Sequence, residues 1–250
     1  MDRHGWLVHE PRDVTRRYFV QLGAAGMAGA GRAEVLLAMP YALDAARILA
    51  GRTGARVVAT GLPIGLAGTA AWVRQVGQAT GTAAAAEAFV DAELDRVAPR
   101  LEWVVPHGLL HRRLFLGGDA PGIAAWAVAF RELGCDVSGV RPSGGTLPAD
   151  CGLALMDAVP TVPGAVDLCI GERGCALEAA RVGVPALERG FPCPGEHFLL
   201  PAPALGFEGL AGRVEAAVNR ISLATIVRHW RQPDGPSAGP PWHAGPAPDR

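Results

Sequence analysis

The 250-residue chain contains no lysine; all 23 of its basic residues are arginine. With the accompanying excess of alanine, glycine and proline, this is the composition that a GC-rich coding sequence imposes. No run of residues approaches the roughly 18 apolar positions of a membrane-spanning helix, which argues against a membrane protein. Nor is there a block of like charge. The net charge is −1, with acids and bases interleaved, so no basic field is available for nucleic acid and no acidic tail stands out. The first seventeen residues are basic and carry no apolar core of a secretory leader. A cytoplasmic protein is therefore expected, with its five cysteines reduced. Also missing are a Ser-His-Asp order, a nucleophile elbow, a kinase signature and any identifiable pair of acid–base carboxylates.

What is present is an ordinary globular composition, half hydrophobic and 19% charged, with 33 glycines and 21 prolines. That length can bury a sizeable core in one large domain or two small ones. The chain alternates short apolar runs with amphipathic stretches. Residues 34–37 and 56–60 read as strands, with a helix between them over 41–51. A loop, Leu62-Pro63-Ile64-Gly65-Leu66, leads into a helix over 68–80 with Trp72, Val73, Val76 and Ala79 on one face. An alanine-rich helix is expected over 83–97. Its four acids, Glu87, Asp91, Glu93 and Asp95, scatter around the axis and read as a solvated face.

The clearest unit follows. Leu114-Phe115-Leu116 is a strand, Gly117-Gly118-Asp119 a turn, and Pro121 sits where a helix begins. Ile123, Trp126, Ala127, Phe130 and Leu133 form its apolar stripe, and Gly134 closes it before a strand over 136–140. A second βαβ unit has a strand over 166–170, a turn over 171–174, a helix over 175–182 and a strand from Pro185. A last helix carries Leu210, Val214, Ala217, Val218 and Ile221 on one side, with Arg213, Glu215 and Arg220 off that stripe. Parallel strands joined by helices imply an open, doubly wound α/β fold. Two Rossmann-like lobes with parallel sheets flanked by helices are expected, over 1–105 and 106–230. Residues 231–250, with six prolines and three glycines, read as a disordered tail.

The 117–122 turn stands where dinucleotide-binding proteins keep their glycine fingerprint, but Asp119 breaks G-x-G-x-x-G and no P-loop lysine follows. It reads equally as an Asp-capped helix start. His107 and His111 have helical metal spacing, yet Pro106, Gly108, Arg112 and Arg113 favour a solvated loop. Cys169, Cys175 and Cys193 flank the last βαβ unit at the carboxyl ends of strands, where open α/β sheets bind ligands. Their spacing matches neither zinc nor ferredoxin patterns. Cys169 reads as a core residue; Cys175 and Cys193, with His197 four residues on, are candidate ligands or reactive thiols.

Several stretches together resemble a known family. Leu62-Pro63-Ile64-Gly65-Leu66 with Thr69 and the later Thr80-Gly81 is similar to the P-I-G-x-x-x-T-D…T-G segment of nitrogenase component 1 proteins, with Ala70 in place of the aspartate. The stretch 114–134 resembles their G-D-P…fL-x-E-L-G unit. Asp167-Leu168-Cys169-Ile170-Gly171 resembles D-L-x-I-G-N, and Arg189-Gly190-Phe191-Pro192 with Gly206-Phe207-Glu208-Gly209 resembles the R-x-G-F-P…G-[YF]-x-G ending. The series keeps its order over about residues 15–225, and its ending is most similar to the β-type subunit and its cofactor-assembly scaffold counterpart.

That resemblance implies a component 1-like protein acting with a partner in nitrogenase-like reduction or in metallocluster (iron-molybdenum-type cofactor) assembly. The partners implied are a second component 1-type subunit and a reductase-type ATPase. Against the family pattern the chain starts after the N-terminal cluster-binding domain. The position of the cofactor-anchoring cysteine falls near Ala38, and that of the cofactor histidine near Glu196 or His197. The implied site is Cys193 and His197, with Cys175, Gly118 and Gly171 around them. Any iron–sulfur cluster or metallocluster would be held at a site shared with a partner. The alternative is a non-catalytic binding or regulatory module, or a degenerate fragment that keeps the fold.

Overall fold

The structure, a computed structural model, describes residues 32–148, 151–162, 164–189 and 203–230. The expectations for Cys193, His197 and the 231–250 tail lie outside these residues.

The described chain opens with a two-stranded parallel sheet. Strand β1, Val35–Ala38, pairs with β2, Arg56–Ala59, so that Ala38 faces Ala59. Between them a 3-10 turn, Pro40–Ala42, runs into helix α1, Leu43–Thr53. Helix α2, Leu66–Thr80, begins directly after Gly65. Gly65 has a φ of +80°, and a Cβ there would stand 2.8 Å from the Ala129 Cβ, so the turn closes against the helix carrying Ala129 only without a side chain.

Helix α3 is longer than the sequence suggests. It runs over Ala83–Gly108 through Pro99 and Pro106, where the local reading ends it at 97 and places 106–108 in a loop. Each proline removes a backbone donor. The apolar stripe nonetheless continues past Pro99, from Val90 and Val97 to Leu101, with Leu94, Val104 and Val105 beside it. That stripe packs on helix α6, Gly206–Trp230, which presents Leu210, Val214, Ala217 and Ile221 to the same core. Packing along a continuous seam outweighs the local penalty. Arg96 and Arg100 both pair with Glu208 across the seam, Arg100 at 3.1 Å. The lobe boundary expected near residue 105 falls inside this helix.

Among the described residues the main sheet has four parallel strands in the order β4-β3-β5-β6. They are β3 (Arg113–Asp119), β4 (Asp136–Gly144), β5 (Leu168–Gly171) and β6 (Ala186–Glu188). The two central strands are covered on both faces, as parallel sheets require: Leu114, Phe115, Leu116, Leu168, Cys169 and Ile170 are all buried. Helix α4, Ala120–Glu132, crosses from β3 to β4, and helix α5, Arg173–Arg181, crosses from β5 to β6. Asp167 ties the amino ends of β3 and β5 together. It accepts from the Arg113 backbone N–H at 2.8 Å and from the guanidinium at 3.2 and 3.3 Å. The α/β class and parallel, helix-flanked sheets expected from the sequence are what the structure has.

Candidate functional site: a cavity at the switch point of the sheet

From β3 the chain crosses outward to β4; from β5 it crosses the other way to β6. The strand order therefore reverses between β3 and β5, and the carboxyl ends of those two strands part to leave a crevice, the usual ligand position in such sheets. A cavity of about 710 Å³ lies there. Leu116, Gly117, Gly118 and Asp119 form one side and Ile170 with Glu172 the other. Ile123 and Trp126 of α4 and Leu62 and Ile64 of the loop before α2 supply apolar walls. Met39 and Tyr41 close it from the two-stranded sheet, and Arg189, Leu205 and Arg213 from the end of β6 and the start of α6.

Asp119 is the N-cap of α4. Its Oδ1 accepts from the Gly122 backbone N–H at 2.8 Å, using the donor left free at a helix start. The same oxygen accepts from the Tyr41 hydroxyl at 2.7 Å, across 78 residues of sequence. Partial burial and this hydrogen bond to a carboxylate raise the tyrosine's ionisation well above its ordinary value.

Of the residues singled out in the sequence, Gly118 lines the cavity. Gly171 lies just behind the lining, its Cα close to Gly117. Cys175 is in the right neighbourhood but not in the cavity: the first turn of α5 carries its thiol inward, where it is fully buried with Sγ 3.3 Å from the Cys169 Sγ. A Cβ at Gly117 would come within 2.6 Å of that sulfur. Cys169 takes the core position expected of it. The hydrogen bond to Cys175, reinforced by burial, pushes its thiol well above the usual cysteine range, so it stays protonated. Cys135 is likewise a core thiol, donating to the Leu109 carbonyl at 3.3 Å and pushed up to about 12 by burial and by Asp136.

His107 and His111 are not brought to the cavity. His107 is in the last turn of α3, its ring 4.4 Å from that of Trp103, and His111 precedes the amino end of β3. The loop expected at His107 is helix. Local reading missed Tyr41, Arg189 and Arg213 altogether. Arg213 reads as off the apolar stripe of its helix, yet its Nε is enclosed at the cavity.

The family model for nitrogenase component 1 type oxidoreductases matches residues 13–144, more than half of the chain. The chain belongs to this family. The structure is similar to solved nitrogenase component 1 chains as well. Against nitrogenase Cp1 at pH 6.5 the TM-score is 0.66 at 20% identity, covering 79% of this chain and 47% of that one. Against nitrogenase Cp1 at pH 5 it is 0.63 at 13% identity, covering 87% and 50%. The chain thus spans about half the length of those solved chains. No curated protein matches it.

Ala38 is the position near which the sequence resemblance would place a cofactor-anchoring cysteine. It is buried at the carboxyl end of β1, and its neighbour Met39 lines the cavity. The backbone therefore reaches the site while the side chain at Ala38 can ligate nothing. The described lining offers carboxylates, a phenol, a hydroxyl and guanidiniums, but no thiolate or imidazole. Soft thiolate ligands are what iron–sulfur clusters need, so this donor set does not fit a cluster on its own. Among the described residues no group of three or more histidines, cysteines or acids is placed to hold a metal ion. No helix among them is long and apolar enough to cross a membrane.

Proposed function

We propose that this chain is a component 1-like subunit that works beside a partner, in nitrogenase-like reduction or in the assembly of a metallocluster. The reading rests on one observation: the family's fold presents a large cavity at its switch point, and the chain's own described lining offers no thiolate or imidazole to hold a cluster. The missing ligands would come from a second component 1-type subunit, from Cys193 and His197, or from both. A reductase-type ATPase would supply electrons if the complex is reductive. The chain's own contribution is a shaped, largely apolar wall with a few fixed polar groups, which orients a ligand and excludes water.

Anaerobic co-purification with candidate component 1-type subunits tests this, with iron content and electronic absorption as readouts. Iron retained by the complex and lost by the chain alone supports the proposal. A stable, iron-free monomer that retains no partner overturns it. The missing ligand at Ala38 favours one second reading, a non-catalytic binding or regulatory module. That reading gains if Cys193→Ala with His197→Ala leaves partner and iron retention unchanged.

A further inference from the structure

Arg213 is the unexplained group of the cavity. It stands on α6 between core residues, one position before the buried Val214. Its Nε is enclosed and meets no acceptor, and no carboxylate among the described residues pairs with its guanidinium. Of the two acids lining the cavity, Asp119 is held by Tyr41 and the Gly122 amide, and Glu172 makes no ion pair with Arg213. The side chain is half-buried, and its enclosed Nε–H without an acceptor costs free energy that an acceptor in the cavity would recover. A guanidinium keeps its charge at any ordinary pH, so the acceptor it favours is an anion.

We infer that the cavity binds an organic anion, its acidic head group on the Arg213 guanidinium and its apolar body against Ile64, Ile123 and Trp126. The fork of N–H donors suits a flat or tetrahedral oxyanion such as carboxylate, phosphate or sulfonate. The apolar walls argue for a carbon body and not a bare inorganic ion. The volume of about 710 Å³ is that of an ordinary small-molecule pocket. The inference rests on the proposed function only in taking this cavity as the working site; it needs neither iron nor a partner.

The test is a fluorescence titration of the full chain with 8-anilinonaphthalene-1-sulfonate, beside the uncharged N-phenyl-1-naphthylamine. Arg213→Gln should weaken the sulfonate probe roughly tenfold or more, the loss of a charge-assisted hydrogen bond, and leave the neutral probe within about twofold. Equal binding of the sulfonate by both proteins overturns the inference, as does an equal loss of both probes with an unchanged circular dichroism spectrum. If Arg213→Gln does not fold, the wild type decides: it must prefer the sulfonate probe over the neutral one, and equal affinity refutes the site. Displacement by phenyl phosphate or by benzoate then identifies the head group; displacement by neither counts against an anion site. Arg213-dependent binding without iron or partner overturns only the proposed function, while retained iron and partner without Arg213 dependence overturns only this inference.

Discussion

Gly117→Ala is the sharpest probe of how the cavity floor is built. Gly117 does not have a positive φ, so alanine suits its backbone and the cost is steric alone. The added methyl would stand 2.6 Å from the Cys175 Sγ and 3.0 Å from its Cβ. Ordinary carbon contacts are about 3.5–4 Å, so something must move by about 1 Å. Cys175 has little room to give, being fully buried against the Cys169 sulfur and the Gly171 backbone. Overpacking of this kind costs about 1–3 kcal/mol, out of a total stability on the order of 5–15 kcal/mol. For a chain of this size about 2 kcal/mol lowers Tm by roughly 4–8 °C. Thermal and urea melts of Gly117→Ala, Cys175→Ala and the double variant measure it. Removing the sulfur should recover part of the loss, with a coupling of at least about 0.5 kcal/mol. Gly118→Ala is the contrast. Its φ is +141° with open space around it, so its cost is backbone strain that Cys175→Ala does not relieve. Melting of Gly117→Ala within about 1 °C of the wild type, or strict additivity in the double variant, would refute the reasoning.

Three other outcomes follow from the geometry. Tyr41→Phe removes the hydrogen bond to Asp119 and should cost about 0.5–1.5 kcal/mol at neutral pH. The tyrosine's ionisation is raised in the folded state, so its contribution is complete below the ordinary tyrosine value and is lost as pH rises above it; denaturant melts from pH 8 to 11 should fall less steeply in the variant. Asp167 works in the opposite sense. Burial pushes its pKa up, but the hydrogen bonds and charge of Arg113 outweigh that, so it ionises below the ordinary aspartate value. Its contribution is complete above about pH 4 and is lost as pH falls through the lower folded value, and Asp167→Asn should flatten the acid side of the stability curve while costing about 1–2 kcal/mol at neutral pH. In a Cys193→Ser background, iodoacetamide should label the partly exposed Cys151 in the native protein and reach Cys135, Cys169 and Cys175 only after unfolding; native labelling of Cys175 would contradict its placement.

The βαβ core was legible because each local signal agreed with the others. The run Leu114–Phe115–Leu116 suits a covered strand, Asp119 caps the helix that follows, and the stripe through Ile123, Ala127 and Phe130 gives that helix its buried face. Where local and long-range terms disagree, the sequence misleads. Pro99 and Pro106 mark a helix end by their own chemistry, and only the seam with α6 carries α3 through them. The site was half legible for a related reason. The rule that ligands bind at the carboxyl ends of parallel strands found the Gly117–Gly118 edge and pointed near Cys175. It could not show that the first turn of α5 rotates that thiol into the core. The meeting of Tyr41 with Asp119 and the enclosure of Arg213 depend on elements far apart in the chain, and no periodicity signals them.

The two-stranded sheet has a dynamic consequence. Among the described residues, its small cluster of Ala33, Leu36 and Ala55 is separate from the main core. This unit should therefore form its own low-energy foldon, exchanging its amide hydrogens well before β3 and β5 do. Met39 and Tyr41 ride on it. Entry to the cavity would then be set by a sub-global fluctuation of one wall, on a timescale independent of the stability of the sheet that forms its floor.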